Sequence, residues 1–125
     1  MSFTCKDVHN LSPELSDSDL KTLLTCRENH EIDFTLVDIR EMFEYSDLSI
    51  KGTDLLLPTS NMHLHMDKIE SIKDSVIVLY CRTGSRTGQM LNILKRMGFE
   101  KISHLSDGIM QFSGEKLKNA PLPKI

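Results

Sequence analysis

Val76-Ile77-Val78-Leu79-Tyr80-Cys81-Arg82-Thr83-Gly84-Ser85-Arg86-Thr87-Gly88 is the stretch on which the fold turns. Its opening residues are apolar and rich in β-branched side chains, the pattern of a strand buried on both faces. A cysteine closes the strand and a short glycine loop follows. From about Ser85 to Met97 the residues Met90, Leu91, Leu94 and Met97 share one stripe of an amphipathic helix, with Gly98 suited to its C-cap. Strand, loop and helix in that order put Cys81 at the carboxyl end of a strand, where parallel α/β sheets collect their active sites.

The same alternation extends in both directions. Ser16-Asp17-Ser18-Asp19 offers N-cap oxygens to a helix that carries Leu20, Leu23 and Leu24 and runs to about Arg27. Phe34 to Ile39 reads as a buried strand, Glu41 to Tyr45 as one helical turn, and Leu55 to Leu57 as a short strand stopped by Pro58. Thr59 or Ser60 caps a helix with Met62, Met66 and Ile69 on one face. Lys101 to Leu105 is a strand, and Gly108 to about Leu117 a last helix before Pro121 and Pro123. The expected fold is α/β, a mostly parallel central sheet with helices on both faces. It forms a single domain over residues 1–125, with 1–15 as an N-terminal arm or edge segment broken by Pro13.

Composition narrows the function classes. A chain of 125 residues supports one core, and a hydrophobic share of 39% excludes disorder. The longest apolar run, Val76 to Cys81, is far too short to span a membrane. Fifteen basic against 18 acidic residues give a net charge of −3 without a long basic run, which argues against nucleic acid as a partner. The first residues carry no charged-then-apolar leader, so the expected compartment is the reducing cytoplasm. Three cysteines are odd in number and contain no Cys-x-x-Cys pair, which excludes a disulfide scaffold, a zinc knuckle and a redox dithiol. Cys5 and Cys26 read as structural or incidental, Cys5 being the one placed to react.

Chemistry concentrates at Cys81 to Arg86. Loop N–H groups and a helix N-terminus favour an anion, Gly84 permits positive φ, and Arg82 and Arg86 add fixed charge. Lys73 to Lys101 holds six basic and two acidic residues, a net +4 within an acidic chain. These features predict a Cys81 thiolate with a lowered pKa. Packing alone supplies no reason for two arginines beside an inert buried thiol.

Cys81-Arg82-Thr83-Gly84-Ser85-Arg86 after a hydrophobic strand resembles the active-site loop of the single-domain rhodaneses, the thiosulfate and polysulfide sulfurtransferases. Leu36-Val37-Asp38-Ile39-Arg40-Glu41 with Glu44-Tyr45 is similar to that family's Asp-Val-Arg-Glu segment. Met97-Gly98-Phe99-Glu100-Lys101-Ile102 with Leu105-Ser106-Asp107-Gly108 is similar to its closing strand and glycine turn. The three matches, in order, cover residues 16 to 120. The chain departs from the pattern at Leu48 to Thr53, where only Ile50 and Gly52 match, and at Thr83, where some members carry a cation. The resemblance implies a rhodanese-like fold. It also implies transfer of a sulfane sulfur from thiosulfate or polysulfide to a thiol, a protein thiol or cyanide, through a persulfide on Cys81. Arg82, Thr83, Gly84, Ser85 and Arg86 would bind substrate, with Asp38 and Arg40 at the border of the site and no metal or organic cofactor.

Two other readings stand beside it. Cysteine phosphatases also use strand, loop and helix with a phosphate-cradling arginine, but Cys81 and Arg86 are separated by four residues, one fewer than that pattern. A shorter ring of donors suits one or two sulfur atoms better than a phosphoryl group with three equatorial oxygens. The third reading is a catalytically quiet rhodanese-like interaction module, against which the intact cysteine and basic loop weigh. Asp38 and Arg40 have a structural reading as well, with Arg40 paired to Glu41 or Glu44. His63 and His65 lie two apart on an expected helix and face opposite sides, so they cannot chelate together. His104 reads as a packed or edge residue of its strand rather than a general base. Glu28 to Asp54, with eight acidic and two basic residues, is a solvated face able to meet a basic partner.

Overall fold

A computed structural model describes residues 3–123 of the chain. The elements run β1 (Glu14–Leu15), α1 (Asp17–Glu28), β2 (Thr35–Asp38), α2 (Met42–Asp47), β3 (Ser49–Ile50), β4 (Leu55–Leu56), α3 (Met66–Ser71), β5 (Ile77–Tyr80), α4 (Ser85–Arg96), β6 (Ile102–Leu105) and β7 (Lys116–Leu117). Five strands form one parallel sheet in the order β1-β6-β5-β2-β4. The small pair β3-β7 is antiparallel and separate from it.

Alternation along the strands splits the core in two. Leu36, Val78 and Tyr80 point to the face that packs Leu20 and Leu23 of α1. Val37, Ile77, Leu79 and Cys81 point to the other face, against Ile69 of α3 and Leu91 and Leu94 of α4. A sheet covered on both faces has no solvent side, which is why its strands read as continuous apolar runs. Helix α1 starts where its caps were expected: the Ser16 hydroxyl accepts the Asp19 N–H at 3.1 Å, and the Asp19 carboxylate accepts the Ser16 N–H. The arm ends in β1, an edge strand beside β6.

Three expectations are corrected. The last helix does not form. Residues Ile109–Gln111 make a single 3-10 turn, and the chain then extends into β7. The N–H groups of Ile109 and Met110 are committed to the Cys81 and Arg82 carbonyls, and Ser113 is held by Asp17 through its N–H at 2.9 Å and its hydroxyl at 2.6 Å. The helix expected after Pro58 is two pieces, a 3-10 segment Thr59–Leu64 and α3, broken at His65; His63 is exposed.

The third correction concerns the cysteines. Cys5 and Cys26 are joined in a disulfide with their Cα atoms 5.8 Å apart, 21 residues apart in sequence. It ties the N-terminal 3-10 turn Cys5–Asn10 to α1. Cys81 is left as the free cysteine. Among the described residues no helix is long and apolar enough to cross a membrane.

Candidate functional site

The parallel register brings the ends of three strands to one edge of the sheet. Asp38 lies opposite Tyr80, and Leu79 opposite His104. Cys81 follows β5 directly and is wholly buried. The chain then turns back over its sulfur and enters α4 through Gly84, whose φ of +98° is left-handed. Any Cβ at Gly84 would collide with the Ser106 carbonyl. At Gly108, with φ +70°, a Cβ would collide with the Arg82 carbonyl. Two glycine turns therefore lock against each other, and the Ile109 N–H to Cys81 carbonyl bond at 2.9 Å closes the contact. The turn after β6 thus supports the cysteine loop.

The thiol sits inside a ring of donors. The Gly84 N–H reaches Sγ at 3.2 Å, and the Thr87 hydroxyl lies 3.6 Å from it. Burial pushes the Cys81 thiol up, but hydrogen bonding from the Thr87 N–H and hydroxyl and from the Gly84 and Arg86 N–H groups outweighs it, leaving the pKa below the ordinary value. The lowered pKa was expected, and so was a share for the loop N–H groups; the leading place given to the two arginines is corrected. The main stabilisers are backbone dipoles and one hydroxyl rather than the two guanidinium charges.

Arg86 is held elsewhere. Its guanidinium makes a two-pronged bond to Glu44, both contacts at 3.0 Å. The pairing with Arg86 holds the Glu44 carboxyl below its usual range, although partial burial opposes it. Arg82 is exposed and lines an open depression with Arg40, Phe43, Glu44 and Lys116. Thr83 and Ser85 lie on the opposite, outer side of the loop, with hydroxyls 3.5 Å apart, beside Glu14 and His104.

Asp38 and Arg40 pair with each other, which corrects the expected partner of Arg40. Arg40 Nε donates to both Asp38 oxygens at 3.0 and 3.1 Å, and Nη2 donates at 2.8 Å and also to the Leu48 carbonyl at 2.6 Å. Both residues are buried. Burial disfavours the Asp38 carboxylate and pushes its pKa up, and the Arg40 bonds oppose that. The Arg40 guanidinium also lies 5.5 Å from the centre of the Tyr80 ring, so the pair ties β2 and β3 to the foot of the cysteine loop.

Sequence reasoning did not place Thr87, Glu44, His104 or Glu14 beside the cysteine loop, although it read Glu44 as an ion-pair partner and His104 as a packed strand residue, and both are so. One signal was available for Thr87. A hydroxyl in the first turn of a helix leans toward the N-terminus, which places it over the residue that ends the preceding strand. For His104 no local signal existed, since its place beside Glu14 and Thr87 comes from the parallel register and the packing of α4.

Residues 16–115 match the rhodanese-like domain family. A sulfurtransferase of Allochromatium vinosum is 30% identical over 107 residues, covering 86% of this chain and 85% of that protein. A probable adenylyltransferase/sulfurtransferase MoeZ of Mycobacterium tuberculosis is 32% identical over 78 residues, 62% of this chain but 20% of that protein. The chain therefore spans about a fifth of that relative's length. Among solved structures, a thiosulfate sulfurtransferase from Pseudomonas aeruginosa superposes with a TM-score of 0.73 at 16% identity, over 94% of this chain and 22% of that one.

Proposed function

The chain belongs to the rhodanese-like domain family, and from that premise we propose that it moves a sulfane sulfur through a persulfide on Cys81. The Cys81 thiolate attacks the outer sulfur of thiosulfate or a polysulfide. The bond between the donor's two sulfurs breaks, and sulfite or a shortened polysulfide leaves with the electron pair. A thiol, free or on a protein, or cyanide then takes the outer sulfur and returns the thiolate. This is covalent catalysis in two half-reactions. The N–H groups of Gly84, Arg86 and Thr87 stabilise the anionic sulfur in each half, and Arg82 at the exposed rim attracts the anionic donor.

The observation that carries this reading is the tight ring around a recessed sulfur. Gly84 N–H approaches Sγ at 3.2 Å, and Thr87, not an arginine, occupies the position where phosphatase spacing needs a guanidinium. A group entering end-on as a single sulfur atom fits that ring better than a tetrahedral phosphoryl group. In a reducing cytoplasm Cys5 and Cys26 would be held as thiols, so counting free thiols on protein taken directly from cells tests that location.

The deciding experiment is a mass spectrum after exposure to thiosulfate or polysulfide, with Cys81→Ser as control and phosphate-ester hydrolysis assayed in parallel. One added sulfur mapped to Cys81, absent in the variant, is expected. Ester hydrolysis without sulfur uptake would replace the proposal by the phosphatase reading. Neither activity would leave an interaction module.

A further inference from the structure

Behind the cysteine, on the side away from the Arg82 depression, a second chain of polar groups runs to the surface. The Thr87 hydroxyl is buried and has three neighbours: Cys81 Sγ at 3.6 Å, the Gly84 carbonyl at 3.2 Å and His104 Nδ1 at 2.7 Å. The imidazole is the nearest of the three. His104 is itself buried, on β6. Its other nitrogen, Nε2, lies 3.9 Å from the Glu14 carboxylate on β1, which is 73% exposed. Pro13, Glu14, Ser85, Gly88, Gln89 and His104 line a groove open to solvent. A hydroxyl placed between a thiol and an imidazole, with the imidazole backed by a carboxylate at the surface, is more than packing requires.

We propose that His104 is the proton store of Cys81, reached through the Thr87 hydroxyl, so that the thiol is ionised on the side of the loop opposite the donor. The inference rests on the sulfur-transfer reading for its purpose, but its geometry is independent of it. In the resting form Cys81 carries S–H, Thr87 carries O–H, and His104 is neutral with its proton on Nε2, facing Glu14. The S–H bond breaks and its proton passes to Thr87 Oγ1. The hydroxyl's own proton passes to His104 Nδ1. The product is a thiolate that accepts hydrogen bonds from the Gly84 N–H and the Thr87 hydroxyl, together with an imidazolium that donates to Thr87 from Nδ1 and faces Glu14 from Nε2. No electrons change hands and total charge is conserved. The imidazolium then supplies the counter-charge for the thiolate and for the persulfide anion that replaces it.

The surroundings of His104 agree with that role. From β1 it meets Glu14; from α4, the Thr87 hydroxyl and the backbone at Gly88; on β5 its partner is Leu79, which does not titrate. Burial lowers the imidazole pKa and Glu14 raises it, with burial the larger, so the resting ring is neutral, and its protonated form draws on Glu14 and on the thiolate reached through Thr87. His104 touches no reacting atom and is a positioning residue; Thr87 alone of the two meets the sulfur.

The test is the pH dependence of ultraviolet thiolate absorbance, differenced against Cys81→Ser, for His104→Asn, Thr87→Val and Thr87→Ser, with circular dichroism of each. Asparagine keeps a polar atom near Nδ1 but cannot hold the proton. His104→Asn and Thr87→Val should each raise the midpoint by about one unit, roughly tenfold less thiolate on its acid side. Thr87→Ser should restore it, and the double variant should shift no further than either single one. The wild type should also show a second inflection from the coupled imidazole. Unchanged midpoints in folded His104→Asn and Thr87→Val would overturn the proposal, as would additive shifts. Should His104→Asn not fold, His104→Gln takes its place, because Thr87→Val also removes the direct hydroxyl contact to the sulfur. Sulfur uptake by the wild type, read separately by mass, keeps the two ideas apart. A His104-dependent midpoint without uptake retains the relay and removes the sulfur-transfer reading, and uptake with a His104-independent midpoint does the reverse.

Discussion

Replacing Gly84 by alanine strikes the site at its narrowest point. At φ +98° any L-residue is strained, by about 1–2 kcal/mol in the left-handed region. The new methyl would also meet the Ser106 carbonyl, a backbone atom that cannot rotate aside. Such overpacking adds about 1–3 kcal/mol, so folding stability should fall by roughly 2–5 kcal/mol. The loop must then lift from β6, and the Gly84 N–H leaves Cys81 Sγ, now 3.2 Å away. A hydrogen bond to a charged acceptor is worth about 1.5–3 kcal/mol. At about 1.36 kcal/mol per pKa unit, its loss should raise the Cys81 midpoint by roughly one to two units. Thiolate absorbance against pH, differenced against Cys81→Ser, reads the midpoint, and a circular dichroism melt reads stability. A folded Gly84→Ala protein with the wild-type midpoint and melting temperature would refute both the ring and the interlocked turns.

Replacing both Arg82 and Arg86 by Ala should move the Cys81 midpoint less than Gly84→Ala does, because Arg86 is neutralised by Glu44 and Arg82 is exposed; the same absorbance titration checks it. Glu44→Gln should flatten the acid side of the stability curve. Pairing with Arg86 lowers the folded pKa of Glu44, so its stabilisation is complete above the unfolded glutamate value and is lost as pH falls through the folded one; denaturant midpoints across that range measure it, with about 1 kcal/mol at stake for a half-exposed pair. The Cys5–Cys26 bond, separated by 21 residues, should contribute about 3 kcal/mol by restricting the unfolded chain. Reductant or Cys5→Ala with Cys26→Ala should then lower the melting temperature by about 10 °C, while three free thiols in non-reducing denaturant would show that the bond is not made.

The line between what was legible and what was not follows the range of the interactions. Val76 to Gly88 could be read directly because strand, loop and helix are set by neighbours: apolar continuity for β5, a residue free to take positive φ at Gly84, a 3.6-residue stripe for α4. Where the local pattern met a competing long-range contact it misled. Gly108 to Leu117 looks helical, yet its first N–H groups bond to Cys81 and Arg82 and Ser113 bonds to Asp17.

The sequence by itself determined the place of the free cysteine, the strand that presents it and the glycine that bends the loop over it, because each is written within a few residues of Cys81. The tertiary structure alone decided what surrounds the sulfur. Parallel strands pair residues far apart in the chain at a register no single segment encodes; that register sets Glu14 beside His104, and the packing of the helices on the sheet brings His104 to Thr87 and Glu44 to Arg86. Arg40 pairs with Asp38, two residues back, while Glu44 pairs with Arg86 of α4. The Cys5–Cys26 bond belongs to the same class: an odd count of three hides a pair until folding of the arm onto α1 brings the two Cα atoms to 5.8 Å.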